Sequence, residues 1–163
     1  MYHVALLIER QLENLDADQI VSLHEGLDET VHYHLLLPVE SSTAILTSSM
    51  SALGGGQVAA MPDPATVDEM HEEIVKAGQA ELDASAALLT DRNQQATGQL
   101  TEADPIDTLK DLIATTGSSE VIILTESHIV KEFFQIDWTS RAKRALDVPT
   151  LHLLEHVPFD AQH

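Results

Sequence analysis

Several groups of side chains in this chain have the types and spacing that chemistry uses. His32 and His34 stand two apart in an apolar run, so on a strand their imidazoles share one face, a spacing that can chelate a divalent ion. His24 can approach from the preceding helix. Spacing fixes no third ligand, however, and an imidazole needs only a hydrogen-bond partner, so no metal site is expected. Ser127-His128, with Glu126 beside it, has the residue types of a nucleophile, a base and an orienting acid. Adjacent side chains seldom meet, and no Gly-x-Ser-x-Gly elbow presents the serine, so no catalytic residue is assigned. Thr139-Ser140-Arg141 brings two hydroxyls and a guanidinium to an expected helix N-terminus, where an anion is favoured. Arg141, Lys143 and Arg144 also fit the wet face of that helix. Phe133, Phe134 and Trp138 gather in the same stretch, either as a platform for a ligand or as a cap on the sheet.

Two further histidine patterns fail on spacing. His71-Glu72-Glu73-Ile74-Val75 begins like the helical motif of zinc proteases and then places Val75 where the second imidazole belongs. His152 and His156 are four apart, but the apolar run around Val148-Pro149-Thr150-Leu151 puts His152 on a strand, where that spacing shares no helical face. The chain has no cysteine, which removes disulfide and thiolate chemistry.

The elements that position these residues alternate strand and helix. Val4–Ile8 is a continuous apolar run and reads as a strand covered on both faces, with Glu9 and Arg10 at its exit. Asp16 is expected to cap a helix with Gln19 at the capping-box position, and Ile20, Leu23 and Leu27 form one face. His32–Val39 is the second strand, with Pro38 at its exit. Residues of about 40–64 turn to Ser, Thr, Ala and Gly, including Gly54-Gly55-Gly56, and read as a mobile loop. Asp63-Pro64 opens the longest helix, to about Thr90, its turns marked by Ile74, Ala77, Glu81, Ala84 and Leu88. Ala96–Thr101 has the mixed polarity of an edge strand. Asp104-Pro105 caps a helix that turns Ile106, Leu109, Leu112 and Ile113 inward and stops at Gly117. Val121–Thr125 and Thr150–Leu154 flank a last crossover. The alternation predicts a doubly wound α/β sheet of Rossmann-like type.

At 163 residues the chain is expected to form one domain over 1–163, burying roughly two thirds of its unfolded surface. Its 27 Asp plus Glu against 8 Lys plus Arg give a formal charge of −19. Such a surface repels nucleic acid and anionic membranes, so neither is an expected partner. No apolar run reaches the roughly 18 residues of a membrane span, and no basic leader precedes the first strand, so a cytoplasmic location is expected.

Thr97-Gly98-Gln99-Leu100 with Asp104-Pro105, the strand Val121–Thr125, Ser140-Arg141-Ala142-Lys143-Arg144-Ala145 and Val148-Pro149-Thr150-Leu151 together resemble the universal stress protein family. The likeness runs from about Ala96 to Glu155, extends less specifically over Val4–Val39, and leaves out the stretch from Glu40 to Pro62. It implies a five-stranded parallel sheet in the order 3-2-1-4-5, the architecture of the adenine nucleotide alpha hydrolase-like superfamily, and a homodimer through the edge of the last strand. Family members that bind ATP carry a glycine, two residues, a second glycine, nine residues, and then glycine with Ser or Thr. Bare backbone at those points lets amide N–H groups approach phosphates. Here Thr125, His128 and Trp138 stand at the three glycine positions, with Thr139 at the hydroxyl position, and Glu9 replaces the Asp usual after the first strand. The expectation is a binding or regulatory module, active in stress response as the family is, with no cofactor, that does not hold ATP in the family manner. The alternative is an adenine nucleotide or small anion held by Thr125, His128, Trp138, Thr139, Ser140 and Arg141, with weak hydrolysis. The expected working edge comprises Glu9, Val39–Ser41, Thr125–His128 and Trp138–Arg141, with Gly54-Gly55-Gly56 as a lid. The small-molecule ligand itself is not legible.

Overall fold

Apolar runs of five to eight residues form the inner strands of one sheet, because only such runs can be covered on both faces. In the computed structural model, the residues described are 1–41, 63–125 and 144–154. Their elements are β1 (Tyr2–Ile8), α1 (Asn14–Ser22), β2 (Val31–Pro38), α2 (Pro64–Thr90), β3 (Gln95–Thr101), α3 (Pro105–Thr116), β4 (Glu120–Thr125) and β5 (Thr150–Leu154). The five strands lie in the order β3-β2-β1-β4-β5 and every pairing is parallel, as the family resemblance implies. The loop expected over 40–64 falls outside the described residues except at its ends.

Strand alternation divides the core into two layers. Val4, Leu6, Ile8, Tyr33, Leu35, Leu37, Ile122 and Leu124 face α1 and α2, which add Ala17, Ile20, Leu82 and Leu89. Ala5, Leu7, Leu36, Val121 and Ile123 face the other way, where α3 adds Ile106, Leu109 and Leu112, and Leu146 joins them. Each large aliphatic side chain buried here contributes about 1.5–3 kcal/mol by leaving water.

Helix ends follow local chemistry. The Asp104 carboxylate accepts from the Ile106 and Asp107 N–H groups (2.9 and 3.3 Å), and Pro105 supplies a fixed φ at the first turn. Gly117 closes α3 in the left-handed region at φ 68°. Asp63 caps α2 through the Ala65 N–H. Arg92, just past α2, donates to the Asp18 carboxylate, the Asn14 side chain and the Leu88 carbonyl, tying α1 to the end of α2.

Two local readings need correction. α1 begins earlier than expected: Glu13 is the N-cap, and Asp16 sits three residues in, where its carboxylate accepts from the Glu13 N–H (2.9 Å). The helix ends at Ser22, so its period does not carry onward, and Leu23 and Leu27 stand 38% and 41% exposed. On α2 the buried stripe is Val67, Gly78, Leu82, Ser85 and Leu89, one residue beyond the expected one. A helix of uniformly small residues does not itself mark which stripe packs; the sheet beneath does. Gly78 fits because a Cβ there would lie 2.9 Å from a Val39 methyl.

Candidate functional site

In an open parallel sheet, ligands gather beyond the strand C-termini where the strand order reverses. Here that point lies between β1 and β4, paired from Val4↔Glu120 to Ile8↔Leu124. Glu9 and Arg10 leave β1 there, Val39 to Ser41 leave β2, and Thr125 ends β4. Thr125 is 5% exposed, and its hydroxyl shares a hydrogen bond of 2.7 Å with His152 Nε2 on β5. Burial pushes the His152 imidazole below its ordinary pKa, which favours the neutral ring that bonds a hydroxyl. Thr125 is thus held sideways against β5, its side chain filling space beside the strand end. His128, Trp138, Thr139, Ser140 and Arg141 lie outside the described residues, as do Glu126, Ser127, the aromatics Phe133 and Phe134, and Gly54-Gly55-Gly56. Of the expected binding residues, the structure therefore places Thr125 alone. The cap on α3 and the register of β4 and β5, which aim the chain at this edge, are placed as well.

The opposite end of the sheet holds a second group, on the same face as α3. Parallel pairing sets His3 on β1 directly across from His32 on β2, and sets Ala5, His34 and Thr97 side by side across three strands. Every second residue shares a face, so three imidazoles converge. His3 Nδ1 lies 3.0 Å from His34 Nε2, and the His32 and His34 rings stack with centroids 4.1 Å apart. The Thr97 hydroxyl touches both His32 Nε2 (3.1 Å) and His34 Nδ1 (3.0 Å). Ala5, small and directly beside His34, leaves room for the ring. His34 is 9% exposed, and its pKa is pushed down to about 4, first by burial and then by the neighbouring His32 and His3. His32 is lowered by burial and by His3. At neutral pH both rings carry lone pairs rather than charge.

The sequence signal pointed to His32 and His34 but sought the third imidazole in His24. The structure puts His24 on the other face, with the sheet between. There His24 Nδ1 meets the Tyr33 hydroxyl (2.8 Å), His24 Nε2 pairs with the Glu120 carboxylate, and the Tyr2 hydroxyl donates to the same carboxylate (3.3 Å). Burial and the Glu120 charge raise the Tyr33 phenol far above its ordinary range, so it stays protonated. This is a satisfied network inside the α1 layer. His3 is the residue that sequence reasoning missed. Its only signal was the parallel register, since two residues into one strand must meet two residues into the next. His71, whose zinc-protease motif is incomplete, pairs with the Glu102 carboxylate. His152 stands on a strand, as expected.

No helix among the described residues is long and apolar enough to cross a membrane. No protein-family model matches the chain, and no curated protein matches it in sequence. Solved structures do match in fold. A hypothetical protein, MJ0577, superposes with a TM-score of 0.61 at 10% identity, over 96% of this chain and 99% of that one. A universal stress protein family protein from Arabidopsis thaliana with AMP bound gives 0.53 at 10% identity, over 97% of each chain. The universal stress protein from Archaeoglobus fulgidus in complex with dAMP gives 0.50 at 9% identity, over 93% of this chain and 97% of that one. The chain has the universal stress protein fold.

Proposed function

We propose that this chain is a universal-stress-protein-like binding or regulatory module whose working edge is the C-terminal end of the sheet, and that it does not hold ATP in the family manner. The observation that carries this reading is Thr125. At the first of the family's glycine positions it presents a side chain, buried and hydrogen-bonded to His152, where a phosphate cradle requires bare backbone. Glu9 in place of the usual Asp supports the same reading. The module acts in the cytoplasm, and a second copy pairs along β5, an edge strand on which Leu151 stands 38% exposed.

The second reading is an adenine nucleotide at residues 125–141, with Thr139, Ser140 and Arg141 replacing the glycine cradle. It is favoured by fold neighbours crystallised with AMP and dAMP. A ligand that binds the native state alone raises the melting temperature, and the rise grows with the logarithm of its concentration above Kd. Thermal melts with ATP, AMP and dAMP separate the readings. Flat melting curves support the module without nucleotide. A shift that grows with ATP concentration and is lost in Arg141→Ala overturns it in favour of the second reading.

A further inference from the structure

We propose that His3, His32 and His34 form a site for one divalent late first-row transition ion, of the zinc, nickel or copper(II) class. The three side chains offer ligand atoms that all lie within 4.8 Å of one another. In tetrahedral coordination with bonds of about 2.0–2.1 Å, two nitrogens sit about 3.3 Å apart. The His3 Nδ1 to His34 Nε2 separation of 3.0 Å is already near that value. Small ring rotations suffice to close the set around an ion.

The site is built by backbone that cannot easily move. His3 and His32 are register partners, and His34 lies between Ala5 and Thr97 in paired strands. Thr97 supplies the support that metal-bound imidazoles use. A hydroxyl oxygen has two lone pairs, so it can accept N–H from both rings, from His32 Nε2 and from His34 Nδ1, which leaves each ring one lone pair for an ion. When it accepts from His34 Nδ1, the Nε2 lone pair of His34 is left facing His3 (Thr97 to Nδ1 3.0 Å). Neutral imidazoles without a carboxylate suit zinc, nickel or copper and discriminate against magnesium and calcium, which take oxygen ligands. A dication also meets a chain of formal charge −19. The residues of β3 on this face, Gln95, Thr97 and Gln99, are polar and exposed, so an ion has a path in. Three protein ligands leave one position of a tetrahedral ion for another donor.

The test uses the untagged full-length chain, stripped with a chelator and titrated with zinc, nickel or cobalt(II) chloride, with magnesium chloride in parallel. The proposal expects one ion bound per chain, no saturable binding of magnesium, and a visible cobalt(II) absorption band. At roughly a hundredfold excess over Kd, zinc should raise the melting temperature by about 5–10 °C. His34→Ala and His3→Gln should each weaken binding tenfold or more. Thr97→Val should weaken it by about tenfold, while His71→Gln should leave it unchanged. His3 is half-buried near the start of β1, so His3→Gln serves if His34→Ala does not fold. Absence of saturable zinc and cobalt(II) binding, or binding unchanged in His3→Gln, overturns the proposal.

Discussion

Replacing Gly98 with alanine should destabilise the fold, and should do so through one neighbour. Gly98 lies on β3 under α2, and a Cβ built there would stand 2.5 Å from Leu82 Cγ and 2.8 Å from each of its terminal methyls. Leu82 is 1% exposed, locked in the core against both sheet and helix, so its branch point cannot swing clear. Forcing one extra carbon into packed surroundings costs about 1–3 kcal/mol. Against this, alanine restricts the unfolded chain and regains about 0.4–1 kcal/mol. The balance is a loss of about 1–2 kcal/mol, or roughly 2–8 °C in melting temperature for a chain of this size. Leu82→Ala alone should cost about 2–5 kcal/mol through the cavity it leaves. In that background the new methyl at position 98 meets empty space, so Gly98→Ala should become neutral or stabilising, with a coupling of about 1–3 kcal/mol. Urea unfolding of the four proteins, followed by far-ultraviolet circular dichroism, measures every corner of the cycle. A Gly98→Ala protein as stable as the parent, or an equal cost in both backgrounds, would refute the packing argument.

Ser85→Ala should cost about 1–3 kcal/mol, because the Ser85 hydroxyl accepts the buried Leu12 N–H (2.9 Å) and that amide loses its partner; amide exchange at Leu12 should quicken with it. Asp104→Ala should lose about 1 kcal/mol by freeing two N–H groups at the start of α3. Gly117→Ala should lose about 1–2 kcal/mol because φ is 68°, and chemical denaturation reads both. His152 has a native pKa below its unfolded one, so between them the unfolded state holds more protons and stability falls as pH drops below about 6.5. His152→Gln should make that slope shallower in unfolding measured across the acid range, leaving the share that His32 and His34 contribute. An unchanged slope would show that the ring is solvated.

Where the sequence spoke through local chemistry, it was legible. Pro105 after Asp104 and Gly117 after a run of helical period mark α3 at both ends, and the structure has its helix between them. The runs at Val4, Val121 and Thr150 are apolar enough to be inner or closing strands, their alternation with helices marks a doubly wound sheet, and the strand order comes from the family resemblance. What depends on a distant partner was not legible. Alanine repeats on α2 offer equivalent stripes, and only contact with Val39, Leu100 and Gly98 selects the one that packs. His3 sits among residues that mark only a strand, and nothing within its own segment reveals that register will carry it to His32. Gly98 appeared as part of a family-like motif; its spatial reason, the press of Leu82 from above, belongs to the assembled layers.

Strand β1 runs from His3 at one end of the sheet to Ile8 at the other, about 16 Å apart at strand rise. An occupant of the imidazole cluster and an occupant of the Thr125 edge therefore never compete for space. Whatever one tells the other must travel along a ribbon laced on both flanks to β2 and β4. Such a ribbon yields as a unit or stays put, which makes the two ends independent tenants of a single frame.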